Sequence, residues 1–303
     1  MKGLGNMAKA DMEHVKGSIP KQKESKTKEA GTLKNKPSAK STKEPNSVSG
    51  SSSLAQKEIT SDSEKISHEV DIKKLLEAGV HFGHKTSRWH PKMAPYIHSK
   101  RGGSHIIDLT KTVEMLEGAL AFLEKTATEG KQILLVGTKR QARDVVRETA
   151  EATGQPYVVE RWLGGMLTNR NTIGGRIKYL KDLEARMESG QLAAKYSKLE
   201  VQRFQDEIDE MNHIYGGVKN MVARPGALFV VDITHDINSV REARKLGIPI
   251  LGLADTNADP SLVDIPIPSN DDAIKAIKLI MGYVAGAIEA GKARQKQVVN
   301  VDK

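Results

Sequence analysis

Cysteine is absent from this chain, which excludes disulfides, thiolate metal sites and thiol catalysis and gives no sign of an oxidising compartment. No apolar run is long enough to span a bilayer, and the N-terminus lacks the apolar core of a secretory signal, so a soluble, cytoplasmic protein is expected. No strand-like segment leads into GxGxxG, and no glycine spacing with a Lys-Ser/Thr pair makes a P-loop. Those absences weigh against an enzyme that uses a nucleotide. The most informative absence is local: carboxylates are missing from two long windows, between Glu77 and Asp108 and between Glu160 and Asp182.

What is present is an excess of positive charge. The 303 residues carry a formal net charge of +9 with a sequence pI of about 9.4, which favours a polyanionic partner or an anionic surface. The length suffices for one large domain or two small ones with a substantial core. Residues 1–67 hold 13 Lys and 8 Asp/Glu, no Arg, Phe, Tyr or Trp, and Ser and Thr throughout. Such a segment buries too little apolar surface to offset the entropy of ordering, so a disordered basic extension is expected there. Residues 68–303 carry 34 Lys/Arg against 30 Asp/Glu, so their excess matters only where it is concentrated.

Folded structure is expected from Asp71. "DIKKLLEAG" offers Asp71 as N-cap, an amphipathic turn and Gly79 as stop. Pro91 and Pro95 then forbid a long helix, and "SHIID" (Ser104–Asp108) suits a strand. Helical spacing recurs over Thr110–Glu129, Gln141–Thr153, Ile237–Leu246 and Asp271–Ala290. Between these lie apolar strands at Gln132–Gly137, Tyr157–Val159, Ala227–Asp232, Ile248–Asp255 and Val263–Pro268. Continuous Val/Ile/Leu strands alternating with helices imply an α/β fold with a parallel sheet covered on both faces. Residues 174–215 interrupt it with two polar helices joined at "ESGQ" (Glu188–Gln191), one spaced by Ile177, Leu180, Leu183 and Met187 and one by Tyr196, Leu199, Phe204, Ile208, Met211 and Tyr215. A narrow apolar seam on each predicts an inserted antiparallel coiled-coil hairpin, an arm suited to meeting a partner.

The first acid-free window, "HFGHKTSRWHPKMAPYIHSKRGGSH", holds His81, His84, His90, His98 and His105 with Lys85, Arg88, Lys92, Lys100 and Arg101. The histidines match no metal-ligand spacing and lack a nearby nucleophile, although some would be satisfied as ordinary loop histidines. Basic side chains interleaved with Trp89 and Tyr96 suit phosphate neutralisation and stacking on exposed bases. The second window, "RWLGGMLTNRNTIGGRIKYLK", adds Arg161, Arg170, Arg176, Lys178 and Lys181. There Gly164 and Gly165 permit close backbone approach, and Thr168, Asn169, Asn171 and Thr172 supply neutral donors. Equally, it reads as a glycine-rich turn before a solvated helix. "GTKRQAR" follows a strand and opens a helix, so Lys139, Arg140 and nearby amides suit a phosphate. Asp232 and Asp255 end two strands, where they either hold a structural divalent ion or cap the loops that follow.

Six motifs in order, "AGVHFGHKTSRWHPKM", "GTKRQA", "RWLGGMLTN", "YGGVKNM", "ADTNADP" and "IPSNDDAI", resemble the bacterial ribosomal protein S-two family from about Val70 to Arg294. The resemblance implies a flavodoxin-like sheet with an inserted coiled-coil hairpin and a structural, non-catalytic role. The implied partners are small-subunit ribosomal RNA, ribosomal protein S-one and other small-subunit proteins, with no membrane or small-molecule substrate and no obligatory cofactor. Carried over by position, the RNA-facing residues are His81, His84, Lys85, Arg88, Trp89, Lys92, Lys139, Arg140, Arg161, Trp162, Gly164, Gly165, Thr168 and Asn169; the charge pattern adds Lys100, Arg101 and Arg170. The chain departs from the family pattern at His90, Asn220 and Ser269, where Asn, Asp and Gly are usual. Residues 1–67 lie outside the pattern. Two rival readings remain: a nucleotide- or metal-dependent α/β enzyme or sensor at Asp232 and Asp255, and a free protein-binding module working through the hairpin.

Overall fold

A computed structural model describes residues 70–221 and 223–301; the basic extension expected over residues 1–67 lies outside the described residues. The chain opens with α1 (Ile72–Glu77), whose first turn is capped by Asp71 accepting from Lys73 N at 2.8 Å. Three strands follow, β1 (Phe82–Lys85), β2 (Ile97–Arg101) and β3 (Ser104–Ile107), with a 3-10 turn at Pro91–Tyr96. Then come α2 (Leu109–Thr128), β4 (Ile133–Val136), α3 (Arg143–Thr153) and β5 (Tyr157–Val158). The helical segment comprises α4 (Arg170–Glu188), α5 (Gln191–Lys195) and α6 (Lys198–Tyr215). Last are β6 (Ala227–Val230), α7 (Ile237–Lys245), β7 (Ile250–Ala254), β8 (Ile265–Pro268) and α8 (Ile274–Val301).

Strands β5-β4-β6-β7-β8 pair in that order, all parallel. Taken from β4 onward this is the flavodoxin-like order, with its topological switch between β4 and β6. The central strands are buried on both faces because successive residues point to opposite sides. Ile133 and Leu135 of β4 join Ala227 and Phe229 of β6 in one core with α2, α3 and α8. Leu134 and Val136 join Leu228 and Val230 in the other, against Val240 and Ala243 of α7, Met93, and the Trp162–Leu167 loop. Parallel pairing places every strand's carboxyl end on one edge. That edge gathers the loops that begin at Gly137, Val159, Val231, Asp255 and Ser269.

The sequence pattern anticipates this sheet but not the second one. β1 and β2 both pair antiparallel with β3, and β2 turns into β3 through Gly102 and Gly103 at φ +58° and +77°. Two consecutive positive φ values are what a two-residue hairpin of the right twist needs. β2 is exposed on nearly every residue, so no apolar alternation marks it in the sequence. Where two helices joined at Glu188–Gln191 are expected, there are three, because Ser197 forms a capping box with Glu200 and starts α6 afresh. Leu180, Leu183, Leu192, Ile208 and Met211 enclose their own apolar cluster, whereas Ile177 packs against the core of the sheet instead.

Helix α8 crosses α2 at Gly291. A Cβ there would sit 2.4 Å from the Glu124 carbonyl oxygen and 2.7 Å from the Ala127 methyl. Overpacking of this kind costs about 1–3 kcal/mol. Gly291→Ala should therefore lower the Tm by about 2–12 °C in a thermal melt, since the backbone on the far side cannot turn away.

Candidate nucleic-acid interface

The three-stranded sheet is fastened over the carboxyl edge of the parallel sheet by Thr256, the residue after Asp255. Thr256 Oγ1 accepts from His84 N at 2.9 Å and its carbonyl from His90 N at 2.7 Å. Gly83 makes this approach feasible, since a Cβ there would meet the Thr256 methyl at 2.5 Å. Met93, fully buried, plugs the 3-10 turn into the core below. On this platform Lys85, Arg88, Lys100 and Arg101 are exposed and make no ion pair among the described residues. Lys100 Nζ lies 5.9 Å from the centroid of the half-exposed Trp89 ring, whose other contact is His105 at 5.3 Å. Arg140 and Arg161, which follow β4 and β5 onto the same edge, are likewise exposed and unpaired within the described residues.

Four expectations change. Lys139 does not project outward: its ammonium lies 3.1 Å from Asp232, 2.7 Å from Asp271 and 2.7 Å from Asp272, with the side chain 14% exposed. Burial alone would lower its pKa, but the carboxylates outweigh that and raise it, so it is a fixed internal cation. Trp162 is buried and donates its Nε1–H to Glu242 at 3.0 Å. His84 is turned inward, Nδ1 3.0 Å from Asp255 and Nε2 3.5 Å from Asp272; the Asp255 hydrogen bond raises its pKa against a smaller effect of burial. Finally, the two strand-end aspartates do not form a pair. Asp232 is committed to Lys139 and accepts from the amides of Thr234 and His235.

The ligand-type atoms that do converge are one each from His84, Asp255 and Asp271, all within 4.8 Å of one another. One imidazole nitrogen and two carboxylates fit a borderline divalent ion, and Asp232 would not belong to that set. Asp271 is pushed up to about 7, first by burial and then by the charges of Asp232 and Asp255, against the pull of Lys139. Lys92 keeps its exposure but is tied to Asp259 Oδ2 at 2.8 Å and Ser261 Oγ at 2.7 Å. Burial opposes the effect, yet Lys92 and Ser261 hold Asp259 at about 2. His81 is partly buried, its ring 4.0 Å from Phe82.

Sequence reasoning missed Glu242. This single α7 carboxylate accepts from Trp162 Nε1, from Gly165 N at 2.7 Å, Leu167 N at 3.0 Å and Thr168 N at 3.1 Å, and from Thr168 Oγ1 at 3.0 Å. It thereby sets the path of the whole second basic loop, leaving Gly164, Thr168 and Asn169 at the surface. Nothing in "SVREARK" distinguishes this acid from an ordinary solvated one. Burial raises its pKa, but the donors from Gly165, Trp162, Thr168 and Leu167 together bring it below the usual carboxylate value. Its contribution is thus present above the unfolded pKa of about 4.3 and is lost as pH falls through the lower folded value. Glu242→Ala should destabilise the fold by about 1.5–3 kcal/mol in urea titrations at pH 7. Glu242→Gln should lose less stability than the parent between pH 5 and pH 3.

Comparison with known proteins identifies the scaffold. The family model described as ribosomal protein S2 matches residues 75–291. Small ribosomal subunit protein uS2 of Coprothermobacter proteolyticus is 50% identical over 231 residues, covering 76% of this chain and 86% of that protein. The protein of the same name from a Picosynechococcus species is 49% identical over 226 residues, covering 75% and 88%. That from Rippkaea orientalis is 46% identical over 226 residues, covering 75% and 84%. The motif order, the sheet topology and these alignments converge: the chain belongs to the ribosomal protein S2 family, structural proteins of the small ribosomal subunit rather than enzymes.

Proposed function

We propose that the chain binds small-subunit ribosomal RNA through the cations on the carboxyl edge of its sheet, working in the cytoplasm as part of the assembled subunit. The observation that carries this reading is a sorting of charge. Cations with a carboxylate within reach, partly buried Lys139 and exposed Lys92, are engaged in intramolecular ion pairs, whereas Lys85, Arg88, Lys100, Arg101, Arg140 and Arg161 are left exposed without one among the described residues. Unpaired like charges crowded on one edge repel each other, so holding them there is favourable only when a polyanion covers them. Trp89 beside Lys100 adds an aromatic face on which a base can stack.

A second contact, with ribosomal protein S-one, is supported by family resemblance and by an apolar patch. Ile72, Leu76 and Phe82 are 49%, 53% and 52% exposed next to the basic sheet. Ile72 and Leu76 are four apart on one face of α1, and Phe82 lies against the Gly79 turn that follows. Apolar side chains grouped in this way suit a protein partner rather than RNA.

Charge reversal of Lys85, Arg88, Lys100 and Arg101 together should shift the protein from the small-subunit peak to the top of a sucrose gradient. For every phosphate that is no longer neutralised, the slope of log affinity against log salt should also fall by about 0.7–0.9. Unchanged co-sedimentation at all salt concentrations would refute the RNA reading. Leu76→Ser with Phe82→Ser should leave co-sedimentation intact while depleting S-one from the isolated subunits; retention of S-one at parental levels would exclude the patch as its anchor.

A further inference from the structure

Helix α4 presents two different faces. Leu180, Leu183 and Met187 turn toward α6, but the residues at Arg170, Gly174, Ile177, Lys178 and Lys181 follow helical spacing along another side. Between that side and the turn after Gly216–Val218 lies a cleft of about 410 Å3. Its apolar wall is formed by the partly buried Ile173, Ile177 and Met221, and Gly174 contributes no side chain to fill it. Exposed Lys178 and Lys181 stand at its edge. The neighbouring acid, Glu184, is already engaged by Lys219 and by Asn212 Nδ2 at 2.8 Å.

A second, smaller cleft of about 160 Å3 adjoins the first and shares Arg170 with it. Its walls are more polar, with Thr168, Asn169, Asn171 and Arg224 beside Leu167 and Leu246. Asn169 places no side-chain cap on α4, and its exposed amide faces this cleft. From Arg170 to Lys181 the helix rises about 16 Å, a span that exceeds a single phosphate group.

We propose that the two clefts form one track for single-stranded RNA, with an unstacked base and ribose against the Ile173–Ile177–Met221 wall and the adjoining phosphate and sugar among Asn169, Asn171 and Arg224. The inference rests on the RNA-binding reading above and adds a second locus to it, off the three-stranded sheet. Two features favour RNA over an acidic peptide. The second cleft offers the side-chain amides of Asn169 and Asn171 and the Arg224 guanidinium, suited to sugar and phosphate oxygens, where a peptide would need further apolar sockets. The walls of both clefts contain no carboxylate, consistent with the acid-free run from Arg161 to Lys181.

The test uses the full chain in assembled small subunits, with Lys178 replaced by the photo-cross-linker p-benzoyl-phenylalanine and, separately, Trp89 replaced in the same way. Irradiation should give RNA adducts from both positions. An RNA adduct from position 89 with only a protein adduct, or none, from position 178 would overturn this proposal and leave the broader reading standing. Absence of RNA adducts from both would overturn both. As an independent measure, Lys178→Ala with Lys181→Ala should lower the salt slope of binding to purified small-subunit ribosomal RNA by about 1–2; an unchanged slope would count against the track.

Discussion

One ammonium group organises the functional edge of this protein. Lys139 leaves β4 at the topological switch of the sheet, the crevice where flavodoxin-like folds ordinarily receive a ligand. Here its own side chain enters that region and binds Asp232 from the end of β6 and Asp271 and Asp272 from the end of β8. Three chain segments far apart in sequence are thereby held by one cation. Such buried pairs add little net stability when complete, but removing one partner strands the others and costs about 3–5 kcal/mol.

Around that point, loops are set by single polar anchors rather than by regular structure. Thr256 fastens the three-stranded sheet through two hydrogen bonds to the backbone of β1 and of the turn that precedes β2. Glu242 gathers the donors of the second basic loop onto one carboxylate. Both anchors face inward, and their consequence appears outside, where Lys85, Arg88, Lys100, Arg101 and Arg161 are exposed without an ion pair among the described residues. Positioning of the loops by inward polar groups and display of cations at the surface are carried by different residues.

The division between those tasks decides what a linear reading can find. The parallel strands announce themselves because both faces are buried, so each is a continuous apolar run such as "ILLV" or "ALFV". The helices that cover them show a period of 3.6 for the same reason. The exposed strand β2, "IHSKR", has no such imprint, since its register is fixed by hydrogen bonds to β3 and by the Gly102–Gly103 turn. Ile177 fits the helical seam by spacing yet packs elsewhere, because periodicity does not reveal which of two apolar surfaces a residue meets.

Composition alone pointed to a polyanion or an anionic surface as the partner to expect: two acid-free basic windows stand out in a chain otherwise close to balanced, and charge density is a property of local sequence. A parallel sheet covered on both faces likewise followed from apolar periodicity, whereas its strand order did not. Only the tertiary structure decided which cations are available. Lys139 and Arg140 are adjacent and look alike in sequence, yet one is caged by carboxylates from β6 and β8 and the other faces solvent. Ion pairing in a folded chain depends on distances of a few ångströms between residues about a hundred positions apart, and that information exists only once the strands have been brought side by side.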